Sequence, residues 1–221
     1  MNKPYTTTGG VFPAFYRTIT ESGHILIAGA TGSGKSVLIS NILKYLTATK
    51  PPNNCGIVLL DPKRVELRDW LQYPHCTAYA DTIPRIENTL FKCERTQQAR
   101  FKEMQRQGLK RYENGDIYII IDELADLLLS SKAAAGYLSS LAMLSRAAGF
   151  HIIAGTQRPT RDIITPMISV NFIHKIALHT NSKQDSRNII GVTGADELPY
   201  YGYGLLQTPG KALTQIKIDI L

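Results

Sequence analysis

The sequence predicts an α/β fold, a mostly parallel sheet flanked by helices with an antiparallel edge hairpin at its C-terminal end, and three observations carry that expectation. Short, uninterrupted apolar runs recur at Ile25–Ala28 and at 57–60, 117–121, 152–154 and 173–178; continuous rather than alternating hydrophobicity is what strands covered on both faces show. The stretches between these runs leave room for the crossover helices that parallel strands require. Near the end, Ile216, Ile218 and Ile220 alternate with Gln215, Lys217 and Asp219, the period of a half-exposed strand, expected to lie antiparallel to 204–207. A chain of 221 residues that is 43% hydrophobic suits one well-packed domain, taken as 1–221.

The helices follow from their apolar stripes. After Ser36, residues Val37, Leu38, Ile42, Leu43 and Leu46 fall on one side of a helix, which ends near Pro51-Pro52, where a helix cannot continue. A second helix is expected over about 82–106, burying Ile86, Leu90, Phe101 and Met104. Its other face carries Lys92, Arg95, Arg100, Lys102 and Arg106 and reads as a solvated face. A third is expected over about 133–148, carrying Leu138, Leu141 and Leu144 and with Gly149 as its stop.

Composition excludes several classes. No apolar run approaches the roughly 18 residues that span a bilayer, and the polar stretch 1–10 is no secretory signal, so a cytoplasmic protein without an integral membrane segment is expected. Cys55, Cys76 and Cys93 form no C-x-x-C pair, which argues against a disulfide framework or a zinc site. Lys and Arg number 25 against 18 Asp and Glu, a net +7 that is compatible with a polyanionic partner. His24, His151, His174 and His179 flank or enter strands without metal-ligand spacing and read as hydrogen-bonded core histidines.

Gly29-Ala30-Thr31-Gly32-Ser33-Gly34-Lys35-Ser36 fits G-x-x-x-x-G-K-[ST] at every fixed position, between an apolar strand and an amphipathic helix. In such a P-loop the glycines let backbone N–H groups approach the phosphates of ATP, Lys35 reaches the β and γ phosphates, and the Ser36 hydroxyl ligates Mg2+. Lys35 is therefore expected at a site rather than in the core. The strand 117–121 ends in Asp122 and Glu123; Asp122 is placed beside the magnesium and Glu123 orients or deprotonates the attacking water. Thr156 and Gln157 follow another strand, and Gln157 is read as a sensor of the γ-phosphate. Asp61-Pro62-Lys63 ends a strand on the same edge and has no clear role from sequence. Arg146, in the last turn of the third helix, has a sufficient explanation in the helix dipole.

These residues together resemble the FtsK/SpoIIIE family of DNA translocases from about His24 to Gly204. Besides the P-loop, the resemblance rests on Val58-Leu59-Leu60-Asp61-Pro62-Lys63-Arg64-Val65-Glu66-Leu67, Ser145-Arg146-Ala147-Ala148-Gly149-Phe150-His151, Gly155-Thr156-Gln157-Arg158-Pro159-Thr160 and Ser182-Lys183-Gln184-Asp185-Ser186-Arg187. It implies a RecA-like domain that hydrolyses ATP and assembles as a homo-oligomeric ring, usually a hexamer, around double-stranded DNA. It implies that Arg146 acts in trans on the neighbour's ATP, that Gln157 senses the γ-phosphate, and that Arg187 is a second candidate for a phosphate contact. The loop 158–166, with Arg158 and Arg161, is either a plain surface loop or a channel loop that tracks DNA. Full-length family members have a membrane-spanning part, a linker, a further motor subdomain before the P-loop and a C-terminal winged helix. With 28 residues before Gly29, the expectation here is a compact motor of a mobile element, such as a coupling protein for DNA transfer, or an excised domain.

Rival readings come from other classes. Ser182-Lys183-Gln184-Asp185 approximates the guanine-reading motif of a GTPase, but Asp122-Glu123-Leu124-Ala125 lacks the glycine of D-x-x-G. A nucleotide-binding adaptor or secretion-type ATPase acting on a protein partner is the other alternative.

Overall fold

The structure, a computed structural model, describes residues 14–144 and 147–219. In chain order its strands are β1 (Ile25–Ala28), β2 (Cys55–Leu60), β3 (Cys76–Ala80), β4 (Asp116–Ile121), β5 (Phe150–Thr156), β6 (His174–Ala177), β7 (Tyr203–Gln207) and β8 (Thr214–Lys217). Its α-helices are α1 (Ala14–Ser22), α2 (Lys35–Thr49), α3 (Ile83–Gln107), α4 (Leu124–Ser130), α5 (Lys132–Leu144), α6 (Pro166–Asn171) and α7 (Lys183–Ile190). The strands form one sheet in the order β3-β2-β4-β5-β1-β6-β7-β8. All pairings up to β6 are parallel, and β7 and β8 are added antiparallel.

Both faces of the parallel strands are covered, which explains their unbroken hydrophobicity. Leu26, Ala28, Ile119, Ile121, Ile152 and Ala154 pack under α3 to α7, while Ile25, Ile27, Tyr118, Ile120 and Ile153 pack with α1 and α2. Successive side chains of a strand alternate between these two cores, and each buried isoleucine adds about 1.5–3 kcal/mol by leaving water. The consequence is a rigid centre whose strand ends are fixed in register, Ile25 opposite Ile153 and Ile117 opposite Phe150.

The expected helix over 82–106 is α3, with Ile86, Leu90 and Met104 buried and Phe101 packed against the core. Its basic face is solvated at Lys92, Arg95, Lys102 and Arg106, but not at Arg100. That guanidinium donates to the carbonyls of Gly115 and Ala148, at 3.0 and 2.8 Å, and lies over the rings of Tyr112 and Phe150. Arg100 therefore ties α3 to the start of β4 and β5 and is a structural cation. The helix expected over 133–148 is shorter: α5 ends at Leu144, and Ala147 and Ala148 lie in a turn closed by Gly149 at φ 70°. Tyr112 N–H takes the Ala147 carbonyl at 2.8 Å, and Leu144 is exposed while Leu138 and Leu141 are buried. The C-terminal strand pairs with β7 as expected, with Ile216 and Ile218 buried; Ile220 lies outside the described residues.

Three of the histidines are hydrogen-bonded as expected. His24 accepts from the Ile152 N–H at 2.9 Å, His174 pairs with the Ser22 hydroxyl at 2.6 Å, and His179 donates to the Leu198 carbonyl at 2.8 Å. His151 differs: it stacks on Tyr118 and faces Asp116 at 3.6 Å, too far for a hydrogen bond. Burial alone would raise the Asp116 carboxyl, but His151, Lys50 and Arg111 outweigh it and hold it at about 2. Burial pushes the Cys55 thiol up to about 12 and that of Cys93 to about 11, so neither is a reactive thiolate near neutral pH. No helix among the described residues is long and apolar enough to cross a membrane.

Candidate functional site

The carboxyl ends of β2, β4, β5 and β1 are neighbours in the sheet, so the segments leaving them converge on one edge. The loop after β1 turns sharply: Gly32 and Gly34 have φ of 80° and 100°, conformations that side-chain-bearing residues rarely adopt. Gly29 must be glycine for another reason, since a Cβ there would lie 2.7 Å from both Leu178 Cβ and Ser33 Oγ. The loop is pinned from both sides, with Gly29 N–H on the Thr156 carbonyl and Ala30 N–H on the His179 carbonyl. α2 then begins at Lys35 with no side chain capping its first turn, leaving its N–H groups open to an anion. The Ser33 hydroxyl is fully buried without a partner, a polar atom that a phosphate oxygen would satisfy.

Lys35 meets Asp122 directly. Its ammonium donates to Asp122 Oδ1 at 2.6 Å and to the Asp122 carbonyl at 2.7 Å, and both side chains are almost fully buried. Gly155 makes this approach possible, because a Cβ there would lie 2.6 Å from the Asp122 carbonyl and 2.9 Å from Lys35 Cδ. Gly155→Ala should therefore overpack the joint between β4, β5 and α2 and cost about 1–3 kcal/mol. Thermal unfolding of the purified variant checks this, and an unchanged midpoint would mean that β5 shifts freely beneath the loop.

Glu123 is also buried, and its carboxylate is held by polar groups. Its Oε1 accepts from the Thr156 hydroxyl at 2.7 Å, the Gln157 N–H reaches both carboxylate oxygens at 3.1 Å, and Lys63 Nζ lies 3.4 Å from Oε2. The Gln157 side chain turns to the P-loop, accepting from the Thr31 hydroxyl at 2.9 Å. Ser36 and Asp122 line the same cleft, of about 360 Å³. The P-loop, the two acids and Gln157 expected from sequence are thus brought together.

Sequence reasoning passed over other members of this arrangement. Lys63 lies in the Asp61-Pro62-Lys63 segment, whose sequence alone points to no role. Tyr200 comes from 169 positions downstream to donate its hydroxyl to the Thr31 carbonyl at 2.6 Å, and only the folded chain reveals it. Arg187 is exposed on α7 and lines a different cleft with Arg161, Gln184 and Asn188. The Ser182-Lys183-Gln184-Asp185 segment is a helix start, its Ser182 hydroxyl accepting from the Asp185 N–H at 3.0 Å. Arg146 lies outside the described residues.

Comparison with known proteins adds independent findings. A family model described as FtsK/SpoIIIE matches residues 4–119. The DNA translocase FtsK of Chlamydia muridarum is 36% identical over 220 residues, covering 89% of this chain; the chain spans only 28% of that relative's length. Among solved structures, the pCW3 conjugation coupling protein TcpA, with ATPγS, is 28% identical, with a TM-score of 0.80 over 91% of this chain and 61% of that one. The cytoplasmic domain of the type VII secretion ATPase EccC from Thermomonospora curvata is 24% identical, with a TM-score of 0.76 over 90% of this chain and 25% of that one, a likeness of fold.

Proposed function

We propose, from the premise that this chain belongs to the FtsK/SpoIIIE family, that it is an ATP-hydrolysing motor that moves double-stranded DNA. The observation that carries the reading is the convergence of Lys35, Asp122, Glu123 and Gln157 on one sheet edge against a glycine-built loop. The open first turn of α2 and the loop N–H groups hold phosphates, and the Lys35 ammonium, now paired with Asp122, supplies a cation to them. Glu123, held by the Thr156 hydroxyl and the Gln157 N–H, orients the attacking water and takes its proton. Gln157, bonded through Thr31 to the P-loop, reports on the γ-phosphate. Arg146 completes the neighbouring subunit's site in an oligomeric ring, for which a hexamer is the family's usual form.

The residues also fit magnesium. No cluster of three or more His, Cys, Asp or Glu suited to a metal occurs among the described residues, and a Mg2+ carried by substrate phosphates needs only one or two protein oxygens. The Ser36 hydroxyl and the Asp122 carboxylate, which line one cleft, would supply them. Bound there, the ion neutralises charge on the phosphates.

The net charge of +7 and the exposed cations of α3 and the 158–161 loop support a polyanionic substrate. The likeness to a conjugation coupling protein supports a transfer-type motor working in the cytoplasm. The presence of Lys35, Asp122, Glu123 and Arg146 together favours hydrolysis over an adaptor that only holds nucleotide. The test is ATP turnover with and without linear duplex DNA of mixed sequence. Stimulation is expected, with DNA affinity falling at a log–log salt slope of about −0.9 for each phosphate neutralised. Turnover indifferent to DNA, with no binding at low salt, would overturn the DNA reading.

A further inference from the structure

Lys63 holds the carboxylate that the proposed mechanism needs free. A carboxylate offers about four lone-pair positions, and Glu123 uses all of them: Oε1 on the Thr156 hydroxyl and the Gln157 N–H, Oε2 on the same N–H and on Lys63 Nζ. A general base must turn a lone pair toward the water it deprotonates. Of the four contacts, Lys63 is the longest, at 3.4 Å, and the only one made by a flexible, partly solvated side chain, 38% exposed. The others come from the backbone of Gln157 and from Thr156, which is fully buried in β5. The contact that gives way is therefore the lysine.

Lys63 has a second place to go. Its ammonium lies 3.8 Å from Asp126, which is one helical turn beyond Glu123 and 33% exposed. The turn that carries Lys63 is built to aim it. Arg64 N–H takes the Asp61 carbonyl, Leu67 N–H takes the buried Asp61 Oδ2 at 3.1 Å, and Arg64 itself sits in the left-handed region at φ 62° while bonding the Asp81 carbonyl. A non-glycine residue keeps that backbone only where its surroundings over-determine it. We infer that Lys63 is a positioning residue that latches Glu123, and that it transfers to Asp126 when Glu123 engages water.

This inference rests on the reading of Glu123 as the base, so the experiment includes Glu123→Gln. Turnover and KM for ATP are measured on the purified chain for Lys63→Met, Lys63→Arg, Asp126→Asn and the Lys63→Met/Asp126→Asn double variant. Lys63→Met should raise kcat without DNA by about fivefold at unchanged KM, the scale that a partly exposed ion pair can hold closed. Lys63→Arg, which keeps the cation, should stay near the parent. Asp126→Asn removes the alternative seat and should lower kcat, and the double variant should match Lys63→Met alone. A Lys63→Met kcat that is unchanged or reduced overturns the latch, and so does a raised KM, which would place Lys63 on the nucleotide. Full turnover in Glu123→Gln instead removes the base reading on which the latch stands.

Discussion

Lys35→Ala should hydrolyse ATP at least about 10²-fold more slowly than the parent chain, the loss that follows removal of one preorganised charge-stabilising donor, and it should also melt earlier. The sequence suggests a lysine at a site and an unharmed fold on its removal. The structure revises the second half: Lys35 and Asp122 are a buried ion pair, 4% and 2% exposed, at 2.6 Å. Removing one member of such a pair leaves an uncompensated buried charge and costs about 3–5 kcal/mol. For a domain of this size the melting point should fall by about 6–20 °C. Loss of activity could then reflect unfolding, so the variant is assayed well below its own transition, beside Lys35→Ala/Asp122→Asn. Neutralising Asp122 should restore much of the melting temperature and none of the turnover. A folded Lys35→Ala that keeps most of its activity would sink the P-loop assignment.

That revision shows where the sequence was legible and where it was not. The central strands announce themselves because both their faces are covered, and Ile119, Ile120 and Ile121 need no polar partner on either side. β3 does not: Cys76-Thr77-Ala78-Tyr79-Ala80 is an edge strand, mostly half-exposed, with nothing periodic to distinguish it from a loop. α1 and α7 bury only three residues each, Tyr16, Ile19 and Thr20 in one and Ser186, Ile189 and Ile190 in the other, and α7 begins inside the segment that approximates a guanine-reading motif. At the site, residues fixed by spacing along the chain, such as Gly34 or Ser36, were readable. Contacts between strand ends were not. Whether Lys63 touches Glu123, or Tyr200 touches Thr31, depends on the order β2-β4-β5-β1 and on a segment returning from the far end of the chain. Arg100 was misread for a related reason, since a cation on a polar helix face looks solvated until the carbonyls of another loop arrive.

Glu123→Gln should bind ATP and hydrolyse it about 10²–10⁴-fold more slowly, the range contributed by a positioned general base. The amide has nearly the shape of the carboxylate. With its oxygen in the Oε1 position it can still accept from the Thr156 hydroxyl and from the Gln157 N–H, which is shared equally between the two carboxylate oxygens at 3.1 Å, so those buried donors keep a partner. Its NH2 then points at Lys63, donor against donor, and the lysine is left to Asp126. What is lost is the capacity to take a proton from water. Glu123→Ala would be a poorer probe, because it leaves the Thr156 hydroxyl and the Gln157 N–H buried without an acceptor, a penalty of about 1–3 kcal/mol for each. Binding of a fluorescent ATP analogue and steady-state turnover, measured on the same preparation, separate the outcomes. Retained binding with turnover near background supports the base. Loss of binding would make Glu123 a holder of the nucleotide or its metal, and turnover equal to the parent's would leave the water to be activated by some other group.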